Sequence, residues 1–177
     1  MEIFRTDMSA ADTEACLPLL SDDERLRAEG LTGKMKRRFL VSRAFRRRVL
    51  GLSAEIMADK NGRPYVNGNS VFFSMSHTGD LLVIAVDDCP VGVDAELMKE
   101  RDFAKLSAWF FGEPISGRED FYRRWTRFEA GLKLAGLPLF SKAAPEPGYL
   151  HSEALGDYML SVASHRCISL PLSITAM

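Results

Sequence analysis

Three carboxylates, a histidine and a lysine stand in a pattern that could do chemistry. Ser74-Met75-Ser76-His77-Thr78-Gly79-Asp80 is followed by Pro90-Val91-Gly92-Val93-Asp94-Ala95-Glu96, and further on by Trp125-Thr126-Arg127-Phe128-Glu129-Ala130-Gly131-Leu132-Lys133. Apolar character over Ser70–Ser76, Leu81–Val86 and Val91–Glu96 predicts three short strands with turns at His-Thr-Gly-Asp and Asp-Asp-Cys-Pro. The simplest arrangement is an antiparallel meander, in which the third strand runs parallel to the first and brings Asp94 and Glu96 to the sheet edge that holds His77. Alternation puts Asp94 and Glu96 on one face. Two carboxylates side by side repel unless a cation sits between them, and Mg²⁺ is commonly held by one or two carboxylates together with substrate phosphates. The plainer alternative is a pair of solvated acids at a strand end.

A helix must carry the third segment. Phe121, Trp125, Phe128 and Leu132 recur at helical spacing between Arg118 and Ala135 and predict one buried stripe. Glu129 and Lys133 lie one turn apart beside it, where a plain ion pair would contribute only about 0.2–0.5 kcal/mol.

The order Ser-His-Thr-Gly-Asp, Val-Gly-Val-Asp-Ala-Glu and Trp-Thr-x-x-Glu-Ala-x-x-Lys, with Asn-Gly-Arg-Pro at Asn61 to Pro64, resembles the 4′-phosphopantetheinyl transferases of the Sfp type over about Arg38 to Gly136. The resemblance implies an α+β fold of two similar lobes related by a pseudo-twofold axis, each with helices and a small antiparallel sheet. The lobes would be residues 1–97 and 98–177, with the active site between them. It implies Mg²⁺ held by Asp94, Glu96 and Glu129, and coenzyme A bound by Arg38, Arg43, Arg63, Ser76, His77 and Lys133. Glu129, Lys133 and His77 would be catalytic: Lys133 and His77 neutralise phosphate oxygens, and Glu129, directly or through a metal-bound water, takes the proton of the acceptor serine. That serine belongs to an acyl or peptidyl carrier protein, and 3′,5′-ADP leaves. The helix motif of the family usually reads Trp-x-x-Lys-Glu-Ala, whereas Phe128 occupies the lysine's place here. This departure keeps open a second reading, a non-catalytic relative that binds coenzyme A or a carrier protein.

The remaining elements must hold these segments. Met1–Thr6 reads as a first strand, and Ser21-Asp22-Asp23-Glu24 as a capping box opening a helix to about Glu29. Gly33 to Leu50 reads as a second helix that carries Lys34, Lys36, Arg37, Arg38, Arg43, Arg46, Arg47 and Arg48. These cations suit a solvated helix balanced by the preceding acids, a phosphate-binding patch, or a nucleic-acid face. The last is disfavoured by the absence of interleaved aromatic residues and by a net charge of −1. Asp59-Lys60-Asn61-Gly62 marks a hairpin turn. Phe103–Phe111 reads as an amphipathic helix with Phe103, Leu106 and Phe110 inward, and Tyr149-Leu150, Tyr158–Ala163 and Cys167–Thr175 as two or three antiparallel strands.

At 177 residues, 46% hydrophobic and 27% charged, the chain can bury a sizeable core. Cys16, Cys89 and Cys167 are odd in number and lack metal-ligand spacing, which argues against disulfides and zinc. With no apolar stretch long enough to span a membrane and no secretion signal at the N-terminus, the expectation is a cytoplasmic monomer that engages no membrane.

Overall fold

The computed structural model describes residues 1–68, 71–138, 141, 146–168, 172 and 174–176. The strand β1 (Glu2–Asp7) is followed by α1 (Asp22–Glu29) and α2 (Gly33–Leu50), then by the hairpin β2 (Ile56–Ala58) and β3 (Pro64–Val66). Next come β4 (Phe72–Thr78), β5 (Leu81–Asp87), β6 (Val91–Leu97), α3 (Phe103–Phe111), α4 (Arg118–Ala135), β7 (Tyr149–Leu155), β8 (Tyr158–Ser164) and β9 (Ile174–Ala176). Part of the expected strand Cys167–Thr175 and the expected start of β4 at Ser70 lie outside the described residues.

Local chemistry explains the early elements. Ser21 accepts from the Glu24 N–H while the Glu24 side chain accepts from the Ser21 N–H, so the capping box forms as expected. In the hairpin, Asp59 Oδ1 accepts from the backbone N–H groups of Asn61 and Arg63, and Gly62 takes a φ of 77° that an L side chain resists.

The strands form two principal sheets. The first has the order β4-β5-β1-β9 and the second β6-β8-β7. One face of the first sheet, through Phe73, Leu82 and Ile84, packs on α1 and α2. Its other face, through Ile3, Leu81, Val83 and Ala85, packs on Val91, Val93, Ala95, Leu160 and Val162 of the second sheet. The far side of the second sheet carries α4, with Ala130 and Leu134 against Ala163.

The meander is corrected. β5 does pair antiparallel with β4, but β6 leaves that sheet and pairs with β8. It nevertheless runs alongside β4 in the same direction, joined to it by side chains: Val93 N–H donates to Ser74 Oγ at 3.0 Å and Leu97 N–H to Thr78 Oγ1 at 3.1 Å. The last strand is also different from expectation, since β9 is parallel to β1. Sheet membership therefore crosses the anticipated 97/98 boundary in both directions.

Gly92 sets how closely α4 approaches. A Cβ there would lie 2.0 Å from the Ala130 carbonyl oxygen and 2.7 Å from the Leu134 nitrogen, both helix backbone that cannot step aside. Gly92→Ala is expected to destabilise the fold by about 3 kcal/mol, seen as a lower urea midpoint, because the helix must lift from the sheet.

The aromatic stripe of α4 packs on α3 and reaches Met159 of β8. Phe121 lies 5.5 Å from Phe103, and Phe128 stands edge-on to Phe111 at 6.2 Å. Of the three α3 residues expected inward, Phe103 is buried, Leu106 packs on the same cluster, and Phe110 is exposed but stands edge-on to Trp125. The α4 positions that meet the sheet include Thr126, Ala130 and Leu134, and Lys133 reaches β6 beside them.

Candidate active site

Alternation along β6 puts Gly92, Asp94 and Glu96 on the α4 side, opposite the apolar Val91, Val93 and Ala95. Asp94 is only 1% exposed, which rules out the solvated strand-end alternative for this residue. Its Oδ1 accepts from Lys133 Nζ at 2.7 Å and from Ser76 Oγ at 2.8 Å. Lys133 Nζ also donates to the carbonyl oxygens of Val93 and Met75, at 3.1 and 3.3 Å. Three segments far apart in sequence thus meet at one carboxylate.

The acids around Asp94 feel both burial and each other. Burial first, and then the negative Asp94, raise the pKa of Glu129 from 4.5 to about 8. The same two causes raise Glu96, whose Oε2 accepts from Thr78 Oγ1 at 3.0 Å. Asp94 Oδ2 is buried and meets no amine, amide or hydroxyl donor, and the neutral Glu129 carboxyl hydrogen-bonds to Asp94. A buried carboxylate beside two further carboxyls pushed toward their neutral form suits a hard cation with oxygen ligands, which would take the place of the shared proton and discharge the group. Asp94, Glu96 and Glu129 therefore fit Mg²⁺ by donor type and by charge. Their oxygens are not drawn together into a tight three-ligand cluster. Among the described residues, the group of three whose ligand atoms all lie within 4.8 Å of one another is Asp87, Asp88 and Cys89. In that turn the charges are already matched, Asp87 by the N-terminal amine at 3.6 Å and Asp88 by Arg166 at 2.7 Å.

His77 lies inside β4, not in the turn after it. It sits opposite Leu82, on the sheet face that meets α2. Burial, and next the positive charge of Arg38, hold its pKa below 6.5, so it is neutral at pH 7 until an anion arrives. Arg38 lines a 530 Å³ recess with Lys34, Arg37, Met8, Gly79 and Asp80. Arg37 is committed to carbonyls of the segment after β1, the shortest bond being 2.8 Å to Ala11. Arg43 does not join this recess. Its guanidinium lies 3.9 Å from Glu24 and 5.0 Å from the Phe39 ring centroid, and Arg46 and Arg47 converge on the same glutamate. Much of the basic helix is thus balanced by the capping-box acid.

Arg63 lines a separate cleft of 260 Å³ with Asn61, Gly62, Pro64, Phe73 and Lys133. Its guanidinium comes close to Gly136 just beyond the end of α4. Ser76 is buried and spends its hydroxyl proton on Asp94. The structure therefore gathers Ser76, Asp94, Glu96, Glu129 and Lys133 at the β4/β6 seam, with Arg63 on one flank and His77 with Arg38 on another. Thr78, which holds Glu96, was missed by sequence reasoning. Its signal is the alternation Ser74-x-Ser76-x-Thr78, three hydroxyls at strand period on one face of β4.

A 4′-phosphopantetheinyl transferase of Bacillus pumilus is 38% identical over 86 residues, which are 43% of this chain and 37% of that protein. One of Bacillus subtilis is 30% identical over 165 residues, 82% of this chain and 70% of its own length. The chain belongs to the 4′-phosphopantetheinyl transferase family. A further member, from Aneurinibacillus migulanus, is 30% identical over 114 residues, covering 57% of this chain and 47% of that relative. The aligned part of the chain thus spans between about a third and 70% of these relatives' lengths. No family model matches the chain. No described helix is long and apolar enough to cross a membrane.

Proposed function

We propose that the chain transfers the 4′-phosphopantetheine arm of coenzyme A to a serine of an acyl or peptidyl carrier protein and releases 3′,5′-ADP. The observation that carries the reading is the junction at Asp94, where Ser76 and Lys133 meet one carboxylate oxygen and the neutral Glu129 carboxyl lies beside the group. Asp94, Glu96 and Glu129 are the residues to hold Mg²⁺, which when bound supplies positive charge to the pyrophosphate.

In this reading Lys133 and His77 neutralise phosphate oxygens as the phosphorus–oxygen bond to the leaving nucleotide lengthens. A neutral His77 donates a hydrogen bond and gains a proton more readily once a phosphate is beside it. Glu129 accepts the proton of the carrier serine as its oxygen bonds to phosphorus. Arg63 and Arg38 are the candidate cations for the rest of coenzyme A, and Ser76 serves the site through Asp94. Arg43 is a weaker candidate because Glu24 already engages it.

Phe128, packed against Phe111 and Trp125, contributes aromatic contact where the family has a lysine. The site works in this proposal with Lys133 as its cation. Residues 1–97 and 98–177 act as two lobes that exchange β6 and β9, and the protein works as a cytoplasmic monomer without nucleic acid.

Release of 3′,5′-ADP that requires both Mg²⁺ and an apo carrier protein tests the reading, and its absence with every carrier contradicts it. Arg38→Glu is expected to raise the KM for coenzyme A about tenfold or more, and that for 3′-dephospho-coenzyme A much less, since one lost phosphate contact to a charged group is worth about 1.5–3 kcal/mol. Equal effects on both substrates would remove Arg38 from the 3′-phosphate.

A further inference from the structure

Two strands with no backbone ladder between them are joined at this seam by hydroxyl groups. Ser74, Ser76 and Thr78 each use their side-chain oxygen on β6. Ser74 and Thr78 accept from backbone N–H groups, which is structural work that any seam of this kind needs. Thr78 does more. Its Oγ1 accepts from Leu97 N–H at 3.1 Å and donates its single proton to Glu96 Oε2 at 3.0 Å.

Held by Leu97 N–H on one side, the Thr78 hydroxyl reaches Glu96 on the other. This contact sets which oxygen faces the site, since Oε2 is engaged and Oε1 is left for a ligand. Ser76 engages Asp94 Oδ1 in the same way and leaves Oδ2 without a hydroxyl donor. Both acids of β6 at the seam therefore have one oxygen engaged by a β4 hydroxyl.

We propose that Thr78 is a positioning residue for Glu96: its hydroxyl, anchored by Leu97 N–H, engages Oε2 and turns the carboxylate so that Oε1 is available to the divalent cation. The inference rests on the metal-binding reading of Asp94, Glu96 and Glu129. Partners of this kind behind a metal ligand typically change affinity about 10–100-fold when removed.

The test is equilibrium binding of Mn²⁺, followed by electron paramagnetic resonance, to the protein with saturating coenzyme A and no carrier protein. Thr78→Val, which keeps the shape and loses the hydroxyl, is expected to weaken Mn²⁺ binding about 10-fold, and Thr78→Ser to bind within about 2-fold of the wild type. Because Thr78→Val also removes the acceptor for Leu97 N–H, the decisive comparison is made in a Glu96→Gln background. If Thr78 acts through the carboxylate, adding Thr78→Val to Glu96→Gln costs no further affinity. Thr78→Val binding as the wild type does, or costing as much in the Glu96→Gln background as alone, would overturn the proposal while leaving the metal site intact. A wild type that binds no Mn²⁺ beyond that held by free coenzyme A would overturn the metal-binding reading and Thr78's role with it.

Discussion

Glu129→Gln is expected to give a protein that is more stable at pH 8 and that has lost transfer by about 10³-fold. Burial and Asp94 raise the Glu129 carboxyl from 4.5 to about 8. Between these two values the folded chain keeps a proton that the unfolded chain has released, so stability falls as pH rises from about 4.5 to about 8. Glutamine stays neutral throughout and removes that loss. After allowance for the partial exposure of the side chain, the gain near pH 8 is about 1–3 kcal/mol. Chemical denaturation at pH 5 and pH 8 checks it: the wild type and the variant should differ little at pH 5 and clearly at pH 8. A variant equally stable at both, relative to wild type, would mean that Glu129 ionises normally. The same balance makes cation binding near pH 7 release protons, because the site must lose the Glu129 proton to accept positive charge.

Asp94→Ala has the largest expected cost to the fold. It strips Lys133, whose side chain is 19% exposed, of its counter-charge and leaves the Ser76 hydroxyl without an acceptor. Breaking one side of a buried pair typically costs about 3–5 kcal/mol, or a fall in Tm on the order of 10 °C for a chain of this size. A loss of transfer in Asp94→Ala would therefore mix folding with chemistry. Asp94→Asn separates them. The amide keeps an acceptor for Ser76 and Lys133, and with the negative charge gone Glu129 ionises more readily and takes over as counter-charge. Asp94→Asn should keep its Tm within a few degrees of wild type yet lose transfer, whereas Asp94→Ala should lose both. If Asp94→Ala melts as the wild type does, the 2.7 Å ion pair is not a structural tie.

Elements governed by local chemistry were legible in the sequence. The capping box, the Asp59–Gly62 turn and the left-handed glycine caps at Gly112 and Gly136 each depend on a few adjacent residues, and the start of α1 and the ends of α3 and α4 follow from them. The partner of β6 was not legible. Asp88-Cys89-Pro90 is as short as a hairpin link, and what draws β6 to the second sheet is β8, some 70 residues later, together with a helix that only Gly92 admits. The stripe of α4 was legible from its period, but its partners were not: only the packed fold shows α3 supplying Phe103 and Phe111, and the sheet receiving Thr126, hydrogen-bonded to Ser161 at 2.7 Å.

The candidate site divides in the same way. Alternation placed Asp94 and Glu96 on one face, and helical spacing placed Glu129 over Lys133, so their types and relative positions could be read directly. Burial could not be read, because it depends on how closely α4 lies on β6. Arg43 was indistinguishable from Arg38 along the basic helix, and only the position of Glu24 on the packed α1 separates them.

Intact mass measurement tests the proposed group transfer at the Asp94 junction. The protein is incubated with coenzyme A, Mg²⁺ and a panel of apo acyl and peptidyl carrier proteins, each beside a version whose acceptor serine is alanine. The prediction is that at least one carrier gains the mass of a single phosphopantetheine, that its serine-to-alanine version gains nothing, and that Asp94→Asn transfers nothing to either. A panel left entirely at its apo mass, from a folded wild-type protein that binds coenzyme A, would contradict the account.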